Sequence, residues 1–414
     1  MPYPALANHR YFCRVERLLL DGGERFATVV DADGAPAYYP TCLALARRSR
    51  SLSVETLAAE AADLVHLGQW AMREGIDINA RLEAGAYLDT AEIETLAEAC
   101  GLTTRALRRM NARKISEIRR GASVTRADLV TNNLKGRRLT IAMQYFDLVG
   151  RMAEARLPKR SKELSRRIED RHAMLKGIKI YRPRVLSSRV RGIVPAGDLA
   201  RVAIFVATGD PLDIWKKEAI ARRNWALVRT LGTTGVRQGE ARQLKVSDLD
   251  LARCELRVER RHDDPEDPRI REPNAKTYDR IIPFGDDLAG TLEEYVLGPG
   301  SDAAEKKGSP FLFLSHDNRT HGSPISSSTA RRVVKELGEH LGIAGLTPHH
   351  LRHGWVQNLA DWAIETGIEA AEFERFANNL GGWSYLSKMA TEYRGDHLTQ
   401  AAYKAGLKVQ GERS

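Results

Sequence analysis

Two long runs of apolar residues at three-to-four spacing constrain this chain more than any other feature. In the first, Leu57, Ala61, Leu64, Leu67 and Ala71 recur behind Ser53, and Gly75 closes the run. In the second, Leu139, Ala142, Phe146, Val149 and Ala153 lie between Thr131 and Arg156. That period lines up each set on one side of an α-helix and is wrong for a strand. Ser53 supplies an N-cap hydroxyl and Glu55 an acidic first turn. Helices of this length with one apolar stripe must bury it against other helices, so the stretch they frame is expected to be a helical bundle. Shorter helices are expected between them, from Thr90 to Cys100 and from Thr104 to Arg120.

The remaining segments read differently. Residues 1–40 hold short apolar pieces such as Phe26-Ala27-Thr28-Val29-Val30, and Asp33-Gly34 suits the tight turn of a β-hairpin. Residues 158–193 are dense in Lys and Arg, carry Pro158 and Pro183, and read as a basic interdomain linker. From about Val194 a larger domain begins. A helix is expected from Lys217 to Thr230, broken by Leu231-Gly232-Thr233-Thr234-Gly235. Leu256-Arg257-Val258 and Arg280-Ile281-Ile282-Pro283-Phe284 read as strands, and helices return from Ser326 to Leu341 and after Pro348. The expected fold class is mainly α with a small antiparallel sheet. The expected organisation is a 1–40 extension, a 41–157 helical domain, the 158–193 linker and a 194–414 second domain. A length of 414 residues agrees with more than one domain.

The chain carries 64 basic and 54 acidic residues, a net charge of +10, which favours a polyanionic partner. Cys13, Cys42, Cys100 and Cys254 form no Cys-x-x-Cys pair, so neither a zinc finger nor a disulfide framework is expected. The opening Met1-Pro2-Tyr3-Pro4 lacks a basic region followed by an apolar core, and no apolar run is long enough to span a bilayer. A cytoplasmic location and no membrane partner are the expectation.

Chemistry concentrates in two arginine motifs, Thr234-Gly235-Val236-Arg237-Gln238-Gly239-Glu240 and His349-His350-Leu351-Arg352-His353, followed by Trp383 and Tyr393. Guanidinium groups are planar, permanently charged forks suited to the nonbridging oxygens of a phosphate. Arg237 follows a glycine break at an expected helix start, where backbone N–H groups also favour an anion. Glu240, on the same turn, can buttress Arg237 or bond to backbone. Arg352 lies one turn after His349, so both project from one face. Three nearby histidines raise the question of a metal, but no further Cys, Asp or Glu pattern accompanies them. A histidine beside a phosphate instead suits proton transfer near neutral pH.

These segments resemble the catalytic boxes of the tyrosine recombinases, the phage integrase family. Its first box, Thr-Gly-hydrophobic-Arg-x-Gly-Glu with a downstream Asp, is matched by 234–240 and by Asp248. Its second, His-x-Leu-Arg-His, is met at every position. The resemblance covers about 194–406. It implies a SAM-like helical core-binding domain ahead of an α-rich catalytic domain of the DNA breaking-rejoining type. It identifies Arg237, Lys276, His349, Arg352, Trp383 and Tyr393 as catalytic residues. Lys276, in the turn before the Arg280 strand, would be the general acid, and Trp383 stands where the family carries His or Trp. Tyr393 would be the nucleophile, one residue further from Trp383 than is common, with Tyr385 and Tyr403 as neighbours.

The implied reaction is attack of the tyrosine hydroxyl on a DNA phosphate, with a 3′-phosphotyrosyl link and a free 5′-hydroxyl, needing no cofactor, metal or ATP. The implied partner is double-stranded DNA, gripped by the two domains as a clamp, with a homotetramer on two sites and a tail helix over 397–407 docked on a neighbouring protomer. Accessory recombination proteins belong to the same picture. Thr131, Asn132, Asn133, Lys135, Arg137 and Arg138 are the candidate DNA contacts of the helical domain, a solvated helix start being the alternative. Three rivals share some of these features. A type IB topoisomerase would relax supercoils without a specific site. A DNA-binding accessory protein would keep the fold without the chemistry. A metal-dependent nuclease would show clustered carboxylates.

Overall fold

The first element is a hairpin. β1 (Arg14–Leu19) pairs antiparallel with β2 (Arg25–Val30), Arg14 lying opposite Val30. The coordinates are a computed structural model that describes residues 12–49, 52–112, 125–184, 194–273 and 278–384. The hairpin turns at Asp21-Gly22-Gly23, where the Gly23 N–H donates to the Leu20 carbonyl (2.8 Å) with Gly23 at φ 83°. Asp33-Gly34, expected to close the hairpin, instead turns the chain after β2. There the Asp31 carboxylate accepts the N–H groups of Asp33 (3.0 Å) and Ala35 (2.8 Å).

Every residue of β2 is buried, and Val29 joins the core of the helices that follow. Residues 12–40 are therefore an integral layer of the helical unit rather than an extension to it. That unit continues with α1 (Tyr38–Arg48), α2 (Val54–Glu74), α3 (Ile78–Ala84), α4 (Thr90–Cys100), α5 (Thr104–Asn111), α6 (Asn132–Glu154) and α7 (Lys162–Ile180). The two long stripes form as expected: Ser53 and Thr131 cap α2 and α6, and Gly75 ends α2 at φ 68°. Leu64, Leu67, Trp70, Leu96, Leu139, Phe146 and Val149 share one core.

The reading of 158–193 as a linker is corrected. Within it α7 packs on α6, burying Met174 and Ile178. Arg171 on the same face is buried too, its Nε and Nη2 donating to Glu154 (2.8 and 3.0 Å) and its Nη1 to Asp147. The acids that neutralise Arg171 sit on the neighbouring helix, whereas Arg166 and Arg167 pair within the segment with Asp170 and Glu163. The chain divides into two compact units between residues 189 and 190.

The second unit contains α8 (Ala196–Thr208), α9 (Glu218–Thr234), α10 (Gln238–Gln243), α11 (Asp286–Tyr295), α12 (Ser301–Glu305), α13 (Ser327–His340), α14 (Pro348–Glu365) and α15 (Ala370–Gly381). Its antiparallel sheet has the order β3 (Leu249–Asp250), β4 (Glu255–Val258), β5 (Arg280–Pro283), with Leu256 opposite Ile282. Leu256, Val258 and Ile282 bury one face. The expected break of α9 at Leu231 does not occur. Leu231 is buried, and Thr230 and Thr234 bond their hydroxyls to the carbonyls of Ala226 (2.7 Å) and Thr230 (2.6 Å), so the helix runs to Gly235. The fold class is mainly α with small antiparallel sheets, as the sequence implied.

Candidate active site

Gly235 makes the site possible. It sits at φ 63°, and a Cβ there would lie 2.1 Å from the Trp355 ring of α14, so α9 can end against α14 only with glycine at this position. Two residues on, Arg237 opens α10. Its N–H donates to Glu240 Oε2 (2.8 Å) and its Nη1 to Glu240 Oε1 (3.2 Å), so one carboxylate both caps the helix and grips the arginine. The two roles that Glu240 could have filled are therefore both in use.

Arg352 comes from α14, whose start is set by Pro348 and by the Thr347 N–H donating to His350 Nδ1 (3.1 Å). It is 2% exposed. Its Nη1 donates to the Gly235 carbonyl and its Nη2 to the Gly381 carbonyl (2.7 Å), and its guanidinium lies 4.8 Å from the Trp383 ring centroid. The same Gly381 carbonyl accepts Arg237 Nη1 (3.2 Å). Two arginines separated by more than a hundred residues thus meet on the last residue of α15, at the helix end whose carbonyls favour cations. Gly382, at φ 61°, turns the chain, and Trp383 folds back over Arg352.

A third guanidinium completes the arrangement. Arg280 of β5 donates Nη2 to Glu240 Oε2 (2.8 Å) and Nε to the Leu380 carbonyl (2.8 Å), and both partners of this ion pair are buried. Sequence reasoning missed it, reading Arg280 only as the start of a strand. The signal was its parity: two residues before Ile282, it falls on the inward face of β5. Among the described residues, the guanidinium groups of Arg237, Arg280 and Arg352 gather around the Gly381 end of α15, and the first two share the Glu240 carboxylate, so positive charge is in excess there. Arg237 is the accessible member, its side chain 32% exposed, and its Nε and Nη2 make no hydrogen bond among the described residues. An anion is what such a place can bind.

His349 is exposed, with its ring 4.3 Å from that of His353 in an edge-on contact. It borders a groove of about 900 Å³ that is also lined by Gln238, Thr347, Arg331 and Lys335. Asp248 is buried and accepts Arg261 Nη1 (2.7 Å) and the Lys245 N–H (2.8 Å), which fixes the chain between α10 and β3. Lys276, Tyr385, Tyr393, Tyr403 and the tail over 397–407 lie outside the described residues. Among those described, His262, Asp263 and Glu272 are the group whose ligand atoms come within 4.8 Å of one another. Glu272 there accepts the N–H groups of Asp263 (3.0 Å) and Asp264 (2.8 Å) and so closes a loop.

The residues expected to meet DNA from the first unit separate into two kinds. Asn132 and Asn133 are exposed behind the Thr131 cap, and Lys135 is half-buried. Arg137 forks onto the buried Asp63 (2.7 and 3.1 Å). Arg138 is buried, its Nη1 bonded to the Cys100 carbonyl (3.2 Å) and the Leu102 carbonyl. Arg138 is thus corrected from a DNA contact to an internal clamp, because Asp63 and the α4 carbonyls lie within reach inside the unit.

Residues 210–394 match the phage integrase family. The tyrosine recombinase XerC of Roseiflexus castenholzii is 31% identical over 139 residues, 33% of this chain and 38% of that protein. The tyrosine recombinase XerD of Halalkalibacterium halodurans is 27% identical over 146 residues, 35% of this chain and 43% of that protein. The matched stretch thus spans about two fifths of these relatives' own length. Among solved structures, the crystal structure of XerA recombinase aligns with 91% of this chain and 99% of its own at 17% identity, TM-score 0.36. The Tn1549 transposon integrase in complex with transposon right end DNA aligns with 71% and 97% at 18% identity, TM-score 0.35.

Proposed function

Through residues 210–394 the chain belongs to the phage integrase, or tyrosine recombinase, family, and from that premise we propose that it cuts and rejoins duplex DNA at specific sites through a 3′-phosphotyrosyl intermediate. The observation that carries the proposal is the meeting of Arg237 and Arg352 on the Gly381 carbonyl, beside the partly exposed and incompletely bonded guanidinium edge of Arg237. The excess positive charge there matches a phosphodiester whose transition state gains negative charge. Donors held in place before that charge develops are worth more than donors that must reorganise.

In this mechanism the Tyr393 hydroxyl attacks phosphorus and the bond to the 5′-oxygen breaks. His349 takes the tyrosine proton and Lys276 supplies one to the departing 5′-oxygen. Arg237 and Arg352 hold the nonbridging oxygens, and Trp383 keeps Arg352 in its plane. The phosphotyrosyl bond conserves the energy of the phosphodiester, so attack by a 5′-hydroxyl rejoins the strand without ATP. The charge at phosphorus is met by guanidinium groups. The biological task is integration, excision or transposition of a mobile element, performed by a homotetramer on two DNA sites.

The test is a plasmid carrying two copies of the end sequence of the host element. Recombinant circles that form in the presence of chelator, and only when both copies are present, are the expected result. Relaxation of any supercoiled plasmid without exchange would replace the proposal with a topoisomerase. Binding to the ends with neither reaction would replace it with an accessory DNA-binding protein.

A further inference from the structure

Arg237 opens a helix that is too short to hold its own direction. α10 spans six residues, and a helix of that length gains little from its own hydrogen bonds. Its pose is therefore set at its two ends. Glu240 fixes the first end through the Arg237 N–H and side chain. At the other end lie the carbonyls of Arg242 and Gln243, which need partners from outside the helix. Two arginines of the long connection between β4 and β5 supply them. Arg269 donates Nη2 to the Arg242 carbonyl (3.0 Å), and Arg261 donates Nη1 to the Gln243 carbonyl (3.4 Å). Gln243 in turn donates Nε2 to the Arg261 carbonyl (2.6 Å).

Arg269 is the better placed of the two to transmit position. Its guanidinium carbon lies 4.9 Å from the centroid of the buried Phe311 ring. Nε and Nη2 fork onto Asp267 (2.8 and 2.7 Å), whose side chain is 1% exposed. Nη1 reaches the Ile325 carbonyl (3.0 Å), which also accepts Arg242 Nε (3.2 Å). Ile325 immediately precedes Ser326, the cap of α13. One planar cation thus joins the end of α10, the start of α13 and its own loop. The first turn of α10 is tied to α13 as well, since Gln238 Nε2 donates to the Ser327 carbonyl (2.8 Å). The loop is held on its own account: Asp264 binds Lys245 at 2.7 Å, and Glu272 accepts the N–H groups of Asp263 and Asp264. Arg269 therefore acts from a fixed base.

We propose that Arg269 is a positioning residue for Arg237: by holding the C-terminal end of α10 against the start of α13, it sets where the Arg237 guanidinium meets the scissile phosphate. This rests on the recombinase reading for the identity of that phosphate. Arg269 acts through α10 and touches no substrate. Misplacing a reacting group by about 1 Å costs about 100-fold in rate. Lysine cannot replace the guanidinium here, because a single ammonium cannot fork onto a carboxylate and reach two carbonyls in fixed directions.

The experiment compares single-turnover cleavage of two nicked duplexes made from the ends of the host element, using the full chain. One carries the natural scissile phosphate. The other carries a methylphosphonate there, which lacks the negative charge that Arg237 balances. Arg269→Lys keeps a cation beside the buried Asp267, which protects folding, and loses the fork. The ratio of the two rates is the readout, since loss of folded protein lowers both alike. Relative to the unaltered chain, Arg269→Lys is expected to cut the phosphate at least about tenfold more slowly and the methylphosphonate less than about threefold more slowly. Arg269→Gln, without the charge, should show the same selectivity. Arg237→Ala should show it more strongly, and adding Arg269→Lys to Arg237→Ala should cost nothing further. Equal losses on both duplexes, no loss on either, or losses that add in the double variant would overturn the proposal and leave the recombinase reading intact. An unaltered chain that binds both duplexes and cuts neither would refute the recombinase reading and the proposal together.

Discussion

Replacing Glu240 by glutamine perturbs the site at the point where its charges meet. Glu240 is fully buried, accepts the Arg237 N–H and binds Arg280 at 2.8 Å. Glutamine preserves shape and one carbonyl oxygen, so the cap on α10 survives. The Arg280 guanidinium, itself 3% exposed, is left without its buried counter-charge and faces an amide N–H₂. Removing one partner of a buried pair costs about 3–5 kcal/mol, and retention of one acceptor puts this change near the lower end. In a unit of this size about 3 kcal/mol corresponds to a fall in melting temperature of roughly 6–12 °C. Five of the six tryptophans (Trp215, Trp225, Trp355, Trp362 and Trp383) lie in this unit, so their fluorescence follows its unfolding. The double variant Glu240→Gln/Arg280→Met should be less destabilised than the two single losses added together. A loss under about 1 kcal/mol for Glu240→Gln, or strict additivity in the double variant, would refute the idea that this ion pair organises the site.

Three further outcomes follow from the same geometry. Gly235→Ala should destabilise the second unit by more than about 1 kcal/mol in urea unfolding, since alanine at φ 63° would also strike the Trp355 ring. Arg352→Lys should lower single-turnover DNA cleavage by about 100-fold or more with little change in DNA affinity, because lysine can neither fork between the Gly235 and Gly381 carbonyls nor stack on Trp383. In the first unit, burial first and the Arg138 charge second push the His66 imidazole down to about 4. A base depressed in the folded state contributes stability that is present above its unfolded value near 6.5 and is lost as pH falls towards 4. The stability gap between the unaltered chain and His66→Gln should therefore narrow by roughly 3 kcal/mol from pH 7 to pH 4. A gap independent of pH would contradict this.

The long stripes on α2 and α6 were legible because their period, caps and stops agree, and the two arginine boxes were legible because each holds its residues within one turn of helix. What stayed hidden depends on contacts between distant segments. Arg138 and Arg171 look on paper like any other basic residues, and only the fold brings Asp63 and Glu154 to neutralise them. Arg280 could have been noticed by its inward parity on β5, but its carboxylate partner lies forty residues earlier. The hairpin turn was misplaced because Asp33-Gly34 and Asp21-Gly22-Gly23 are both good turns, and only pairing with β1 decides between them. The break between Cys100 and Thr104 was legible, but the groups that hold it, His66 and Arg138, come from either side of it in the chain and were not.

The most direct test of the account is capture of the covalent intermediate on a nicked suicide substrate made from the ends of the host element, with chelator present, read on a denaturing gel. The account predicts a shifted protein–DNA band that persists in Tyr385→Phe and Tyr403→Phe and disappears in Tyr393→Phe. No band on DNA that the chain demonstrably binds, or a band that survives Tyr393→Phe, would contradict it.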